Sequence, residues 1–209
     1  EAATGAEVAV LFLGLPPSYE SEGYDRDHLD LPAEQVALLE GVFGCGAVEY
    51  GINVFNSSDV RILDCDVIGD NANGYAGVYG YHGAGISIGG IPSDGKVSIK
   101  KGYVVGNSRG IIIADSAPVS RSIRVQRIGL PSNDTGIFVH NSDGVVIAEN
   151  TVNDARGSTP AVGIELDATS DNNLVKENSC SGAATDVLDN GTGNCWLDNT
   201  HTTGTVSCD

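Results

Sequence analysis

The feature that most constrains this chain is a pattern that starts over every 23 to 34 residues. The segments "GINVFNSSDVRILDCDVIGDN", "GISIGGIPSDGKVSIKKGYVVGN", "GIIIADSAPVSRSIRVQRIGLPSN", "GIFVHNSDGVVIAENTVND" and "GIELDATSDNNLVKENSCSG" align, and a weaker sixth reads "DVLDNGTGNCWLDNTHTTG". They begin at Gly51, Gly85, Gly110, Gly136, Gly163 and about Asp186, at intervals of 34, 25, 26, 27 and 23 residues. Each unit holds two short alternating runs separated by a turn: Ile52-x-Val54 then Val60-x-Ile62, and Ile137-x-Val139 then Val145-x-Ile147. A period of two sends successive side chains to opposite faces, which is the signature of a strand. One such unit cannot bury its apolar face by itself and has to stack on its neighbours.

A period in the twenties, with two or three short strands per unit, fits the rung of a parallel β-helix, with Ile and Val inside and the turns outside. The 28 glycines and the many Asn, Asp and Ser supply the tight turns. Propellers and sandwiches need regular antiparallel hairpins, which these units lack. Asn150, Asn178 and Asn199 occupy one place in "AENTV", "KENSC" and "LDNTH" and are expected to stack as an Asn ladder. Over about residues 46–209 the chain resembles the right-handed parallel β-helix repeat proteins of the pectate-lyase-like and polygalacturonase-like superfamily. The expected fold is all-β, a right-handed parallel β-helix (solenoid) of about six rungs, with residues 1–45 forming a strand-loop-helix cap. The long first interval carries an insertion, "GDNANGYAGVYGYHGAG", read as a loop over one sheet.

A net charge of −17 with four Lys argues against nucleic acid as a partner, because phosphate binding needs a basic face. No run of 18 apolar residues occurs, so no membrane-spanning helix is expected. The chain starts "EAATGAEV", without Met or a basic-then-apolar leader, and is read as processed or trimmed; secretion is neither shown nor excluded by this. An extracellular or cell-surface location is the expectation. Cys45, Cys65, Cys180, Cys195 and Cys208 lack CxxC spacing, which points to one or two disulfides and a leftover thiol, with a staple near the C-terminus. Sequons lie at Asn56, Asn133 and Asn190 and matter only on a eukaryotic secretory route.

The opening stretch "EVAVLFLGLPPSYESEGYDRDHLDLPAEQVALLEGVF", residues 7–43, is of another kind. An apolar run, Val8–Leu13, leads into an acidic loop, and Pro32 then opens a helical pattern with Leu38, Leu39 and Val42 on one face. It resembles the C-terminal α/β domain of glycoside hydrolase family 3, the β-glucosidase type. That resemblance implies an acid/base role for Glu22 of "SEG", protonating the departing glycosidic oxygen. The family's nucleophilic Asp sits on a separate barrel with no counterpart downstream. Two other readings compete: an amphipathic cap on the open end of the solenoid, and a fusion scar.

On the repeats, the outward positions of the first strands read Asn53, Ser87, Ile112, Phe138 and Glu165, and Ile112–Phe138 forms an apolar stripe that a cap or second subunit (a homo-oligomer) would cover. Just beyond, Asp115, His140 and Asp167 fall on consecutive rungs, about 5 Å apart by strand spacing. That set suits general acid/base chemistry or cation binding; ordinary turn residues are the plainer reading. Second strands carry Arg61, Lys100 and Arg124 outward, with Arg121 and Arg127 nearby. Such a strip would hold an acidic polysaccharide, or is internally salt-bridged to Asp64, Asp66 and neighbouring rungs. Tyr75, Tyr79, Tyr81 and His82 of the insertion offer sugar platforms and a titrating group. "YHGAGISIGG" is similar to the "GHGxSIGS" motif of polygalacturonases, which would make His82 that motif's His; the family's "RIK" is here Ile111-Ile112-Ile113. No cofactor is implied and no metal motif occurs; Ca²⁺ held by stacked Asp turns is compatible with the acidic turns. The function expected is a carbohydrate-active β-helix protein acting on or binding a polysaccharide or oligosaccharide, as a hydrolase or lyase. The alternative is a non-catalytic surface, binding or assembly module.

Overall fold

The computed structural model describes residues 50–69, 83–116, 121–153, 155 and 161–208. Its strands follow one another in threes. The first turn holds β1 (Tyr50–Phe55), β2 (Val60–Leu63) and β3 (Val67–Ile68), and the second β4 (Ala84–Gly89), β5 (Val97–Lys100) and β6 (Val104–Val105). Next come β7 (Arg109–Ser116), β8 (Ile123–Gln126) and β9 (Gly129–Pro131), then β10 (Thr135–Ser142), β11 (Val146–Ala148) and β12 (Thr151–Asn153). The last are β13 (Val162–Leu166), β14 (Leu174–Lys176) and β15 (Ser179–Ser181), followed by β16 (Thr185–Asp189) and β17 (Cys195–Leu197). The first strand of every turn joins a six-stranded parallel sheet, β1-β4-β7-β10-β13-β16. Second strands form another, β2-β5-β8-β11-β14-β17, and third strands form β9-β12-β15 and β3-β6. The chain is thus an all-β solenoid of stacked parallel strands, as the repeat predicts, with no helix among the described residues. The proposed cap, residues 1–45, and the Tyr/His insertion lie outside the described residues.

The register follows the hydrophobic alternation. Ile86, Ile88, Ile111, Ile113, Ile137, Val139, Ile164 and Leu166 point inward from the first sheet and meet Ile99, Ile123, Val125, Val145, Ile147 and Val175 from the second. All are essentially fully buried, each adding about 1.5–3 kcal/mol relative to exposure. The glycine that opens each unit is explained by close approach of the next turn. A Cβ at Gly136 would lie 2.4 Å from Val152 and 2.5 Å from the carbonyl oxygen of Gly163; one at Gly110 would meet the Gly136 oxygen at 2.5 Å.

Polar ladders seal the corners. Asn150 Nδ2 donates to Asn178 Oδ1 at 2.9 Å, and Asn178 Nδ2 donates to Asn199 Oδ1 at 2.9 Å. Those same oxygens accept the backbone N–H groups of Asn150 and Asn178, so the predicted ladder is present and doubly bonded. Three further ladders run beside it: Asn107 on Asn133, Asn173 on Asn194, and the hydroxyls of Ser116, Ser142 and Ser170, each accepting a backbone N–H from the preceding turn. Asn133 is buried within its ladder, so its sequon is not an accessible acceptor. Another corner recurs with positive φ at Asp64, Lys101, Arg127, Glu149, Glu177 and Asp198. Residues of both charges therefore stand in one row, and they pair within it: Lys101 with Asp64 at 3.7 Å and Arg127 with Glu149 at 2.7 Å.

The C-terminal residues fold back over the last turn. Thr200 and Thr203 accept from the backbone N–H groups of Cys180 and Val187, and Val206 packs on the core. A disulfide joins Cys195 to Cys208, while Cys65 and Cys180 are free thiols.

Candidate functional site

The outer face of the first sheet gathers the titratable groups. Because the strands pair in register, Asn53, Ser87, Ile112, Phe138 and Glu165 line one row across it, as the alternation predicts. The adjoining outward row is Phe55, Gly89, Ala114 and His140, with Asp167 next along from His140 just past β13. Ile112 is buried yet stands outside the core cluster, whereas Phe138 is half-buried.

Asp115, His140 and Asp167 do come together, through a residue that spacing alone does not nominate. His140 Nδ1 is hydrogen-bonded to Asp167 Oδ2. Asn141 Nδ2 donates to Asp115 Oδ1 at 2.8 Å, and the Asn141 backbone N–H donates to Thr169 Oγ1 at 3.0 Å and to Asp167 Oδ1 at 3.4 Å. Asp167 Oδ1 also accepts the hydroxyls of Thr169 at 2.8 Å and Ser170 at 2.9 Å, and the Thr169 N–H at 3.0 Å. Burial works against its charge, but the donors from Thr169, Ser170 and His140 outweigh burial and hold this carboxyl below its ordinary value.

Glu165, two residues back on the same face, responds oppositely. Burial raises its carboxyl above the ordinary value; the nearby Asp167 adds to that rise, and Arg109 offsets part of it. Arg109 lies over the Phe138 ring, 4.7 Å from its centroid, and Phe138 in turn stacks on His140 with centroids 6.2 Å apart. The result is a half-buried patch: an aromatic ring, a guanidinium, a carboxyl raised by burial and a carboxyl lowered by its donors. Glu165 is legible as an outward position; its contrast with Asp167 becomes visible only once the neighbours are in place.

A family model described as "Periplasmic copper-binding protein (NosD)" matches residues 20–207. The chain belongs to that family. Smaller stretches are similar to glycosidases. One of 42 residues is 62% identical to the Exo-alpha-(1->6)-L-arabinopyranosidase of Bifidobacterium longum, covering 20% of this chain and 6% of that enzyme. A longer one, 147 residues at 35% identity, matches the thermostable beta-glucosidase B of Acetivibrio thermocellus and covers 66% of this chain and 17% of that enzyme. The probable beta-glucosidase K of Emericella nidulans is 48% identical over 42 residues, 20% of this chain and 5% of its own length. The NosD-family chain therefore spans a small fraction of each of these glycosidases. No solved structure matches it.

The remaining predicted residues of this NosD-family chain divide in two. Glu22, Tyr75, Tyr79, Tyr81 and His82 lie outside the described residues. Arg61, Lys100 and Arg124 are exposed on the outer face of the second sheet, away from the two rows that hold Glu165 and His140. Arg61 and Arg124 share one row, with Ser98 between them, and Lys100 stands in the neighbouring row beside Leu63 and Gln126. Arg121 and Arg127 occupy positive-φ corners, and Arg127 is held by Glu149, the internal pairing weighed for this strip.

Proposed function

We propose that this NosD-family solenoid is a carbohydrate-active protein that hydrolyses an oligosaccharide or polysaccharide on the outer face of its first sheet. One observation carries the reading: Glu165 on β13 and Asp167 just past its end stand close on one face, and their surroundings shift them in opposite directions, Glu165 upward through burial and Asp167 downward through its hydrogen-bond donors. Glycoside hydrolysis needs that division. The protonated member delivers its proton to the departing glycosidic oxygen, and the ionised member activates water or attacks the sugar. Phe138, with Arg109 over its ring and His140 stacked beside it, forms a wall next to this pair. The printed names of the partial relatives, which are glycosidases, support the same class.

The reading extends to residues beyond this patch. We assign residues 1–45 as a unit distinct from the solenoid of 46–209, with Glu22 a second acid. The Tyr75, Tyr79, Tyr81 and His82 insertion is an ancillary contact for the glycan, and the Arg61, Lys100, Arg121, Arg124 and Arg127 strip, on and around the second sheet, is a separate contact surface. A periplasmic or otherwise extracytoplasmic location accords with the family description.

That description also names copper. Copper favours imidazole, thiolate and thioether ligands, and this sequence has no Met and four His. Among the described candidates, His140 is hydrogen-bonded to Asp167, the Cys180 thiol is pushed up to about 12 by burial, and Cys65 and His201 lie on different turns far apart in sequence. No group of three metal-ligating side chains gathers among the described residues. The described residues do not fit a copper centre.

The test is a panel of aryl glucosides and arabinosides, gluco-oligosaccharides, polygalacturonate and alginate, assayed for reducing ends with the wild type and with Glu165→Gln, Asp167→Asn and Glu22→Gln. Turnover that falls about 10²- to 10⁴-fold in Glu165→Gln supports the assignment. Turnover lost only in Glu22→Gln moves the chemistry to the opening segment. Absence of turnover on every substrate, with glycan binding retained, turns the protein into a binding module.

A further inference from the structure

Phe55 is an aromatic residue that the proposed chemistry does not use. It is 68% exposed at the first-turn end of the same outer face. Its ring lies alongside two glycines of the next turn: a Cβ at Gly90 would come within 3.1 Å of it and one at Gly89 within 3.4 Å. One side of the ring is thus bordered by glycine, and most of the side chain is exposed. From Phe55 the outward row runs through Gly89 and Ala114, both without a long side chain, to His140 and then Asp167. Beside this low floor, Asn53 and Ser87 offer polar groups, and the buried Ile112 and half-buried Phe138 form the flank.

Resting on the hydrolase reading above, we infer that the row Phe55–Gly89–Ala114–His140 is an extended subsite for a neutral glycan chain laid along the solenoid axis, with Phe55 stacking a sugar remote from Glu165. Phe55 and His140 are separated by three strand steps, about 14 Å, and one pyranose advances by nearly one such step. The floor therefore holds several sugars end to end, an aromatic ring at each end of the span. Charge chooses the class of glycan. Three carboxyl groups, Asp115, Glu165 and Asp167, stand along this face against the guanidinium of Arg109, while Arg61, Lys100 and Arg124 lie on the other sheet. A polyuronate would meet like charge here; a neutral chain meets hydrogen-bonding groups and aromatic faces. Sugar faces carry C–H groups that stack on aromatic rings, which is the contact an exposed, glycine-bordered Phe provides.

The test is calorimetric binding of gluco-oligosaccharides of increasing length, with oligogalacturonates of matched length as the acidic control. It uses the wild type, Phe55→Ala, and Ala114→Gln, which places a long side chain on the floor. The expected result is affinity that rises from the disaccharide to the longer neutral chains and a flattened length dependence in both variants. For the longest chain the loss in Phe55→Ala is about tenfold. Affinity independent of length, longer chains unaffected by either variant, tighter binding of the acidic oligomers, or no binding at all would overturn the inference. Turnover separates the two claims. If Glu165→Gln keeps wild-type turnover, the hydrolase reading fails whatever the binding shows. If it loses turnover while the length dependence is absent, only the subsite fails.

Discussion

Glu165 and Asp167 tie the chemistry of the site to stability, and the signs of the two effects differ. Glu165 has a raised value in the folded chain, so the folded state favours its protonated form; its contribution is intact at acid pH and is lost as pH rises through the raised value. Asp167 is lowered, so its contribution is present above the unfolded carboxylate value and is lost as pH falls through the folded one. One contribution to stability is therefore expected to be lost as pH rises through the raised value of Glu165, and Glu165→Gln should remove that loss, read by chemical denaturation across pH. An unaltered slope in Glu165→Gln would show that burial does not govern this carboxyl. A second residue-scale prediction concerns the glycine row. Gly136→Ala puts a Cβ against Val152 and the Gly163 carbonyl, and overpacking of this kind costs about 1–3 kcal/mol, seen as a lowered denaturation midpoint. The glycines at the unit starts are visible in the sequence as a repeat, but the reason for them is not. It lies in carbonyl groups of the following turn, about 26 residues away, that come close only after stacking.

At the scale of elements, the Asn ladder behaves as a series of coupled bonds. Asn178 lies between two partners: its oxygen accepts from both Nδ2 and the backbone N–H of Asn150, while its own Nδ2 donates to Asn199 and to the Ile147 carbonyl. Asn178→Ala leaves buried donors without acceptors and should cost roughly 2–4 kcal/mol. Asn199→Ala, at the half-buried end of the ladder, should cost less, about 1 kcal/mol. Equal losses in the two variants would show that the ladder is not cooperative. The first and second strands of the turns, and the pairing of Asn150 with Asn178 and Asn199, were readable because a period of two and a fixed offset both leave marks in the sequence. The third strands were less so: Val67–Ile68 and Val104–Val105 are two residues long, too short to show alternation. The other ladders were missed for a different reason. Asn133, Asn173 and Asn194 resemble ordinary turn residues until their oxygens are seen on the backbone of the preceding turn.

At the scale of the whole molecule, a solenoid is held by nearest-neighbour contacts, so its ends decide where unfolding begins. The Cys195–Cys208 disulfide closes a loop with a sequence separation of 13 and pins the C-terminal residues onto the last turn. Closing a loop of that size is worth about 3 kcal/mol. Reduction should therefore expose the amides of Cys180 and Val187, which bond to Thr200 and Thr203, in hydrogen exchange before those of the central strands β7 and β10. Uniform loss of protection along the stack would contradict this. The fold of this region was legible as a whole, since repeats specify stacking. The site was legible in part: Asp115, His140 and Asp167 were placed on adjacent turns by counting, but the Asn141 bridge, the Arg109–Phe138 contact and the division between Glu165 and Asp167 depend on burial and partners that no local pattern encodes.

The central claim is that Glu165 delivers a proton to a glycosidic oxygen on this face. The measurement that tests it most directly is the pH dependence of kcat/KM on a neutral oligosaccharide for the wild type and for Glu165→Gln, side by side. The account predicts a wild-type rate that falls as pH rises through the raised value of Glu165, and a Glu165→Gln rate lower by at least about 10²-fold with that limb gone. A wild type without turnover, or a Glu165→Gln variant that keeps the wild-type rate and profile, would contradict it.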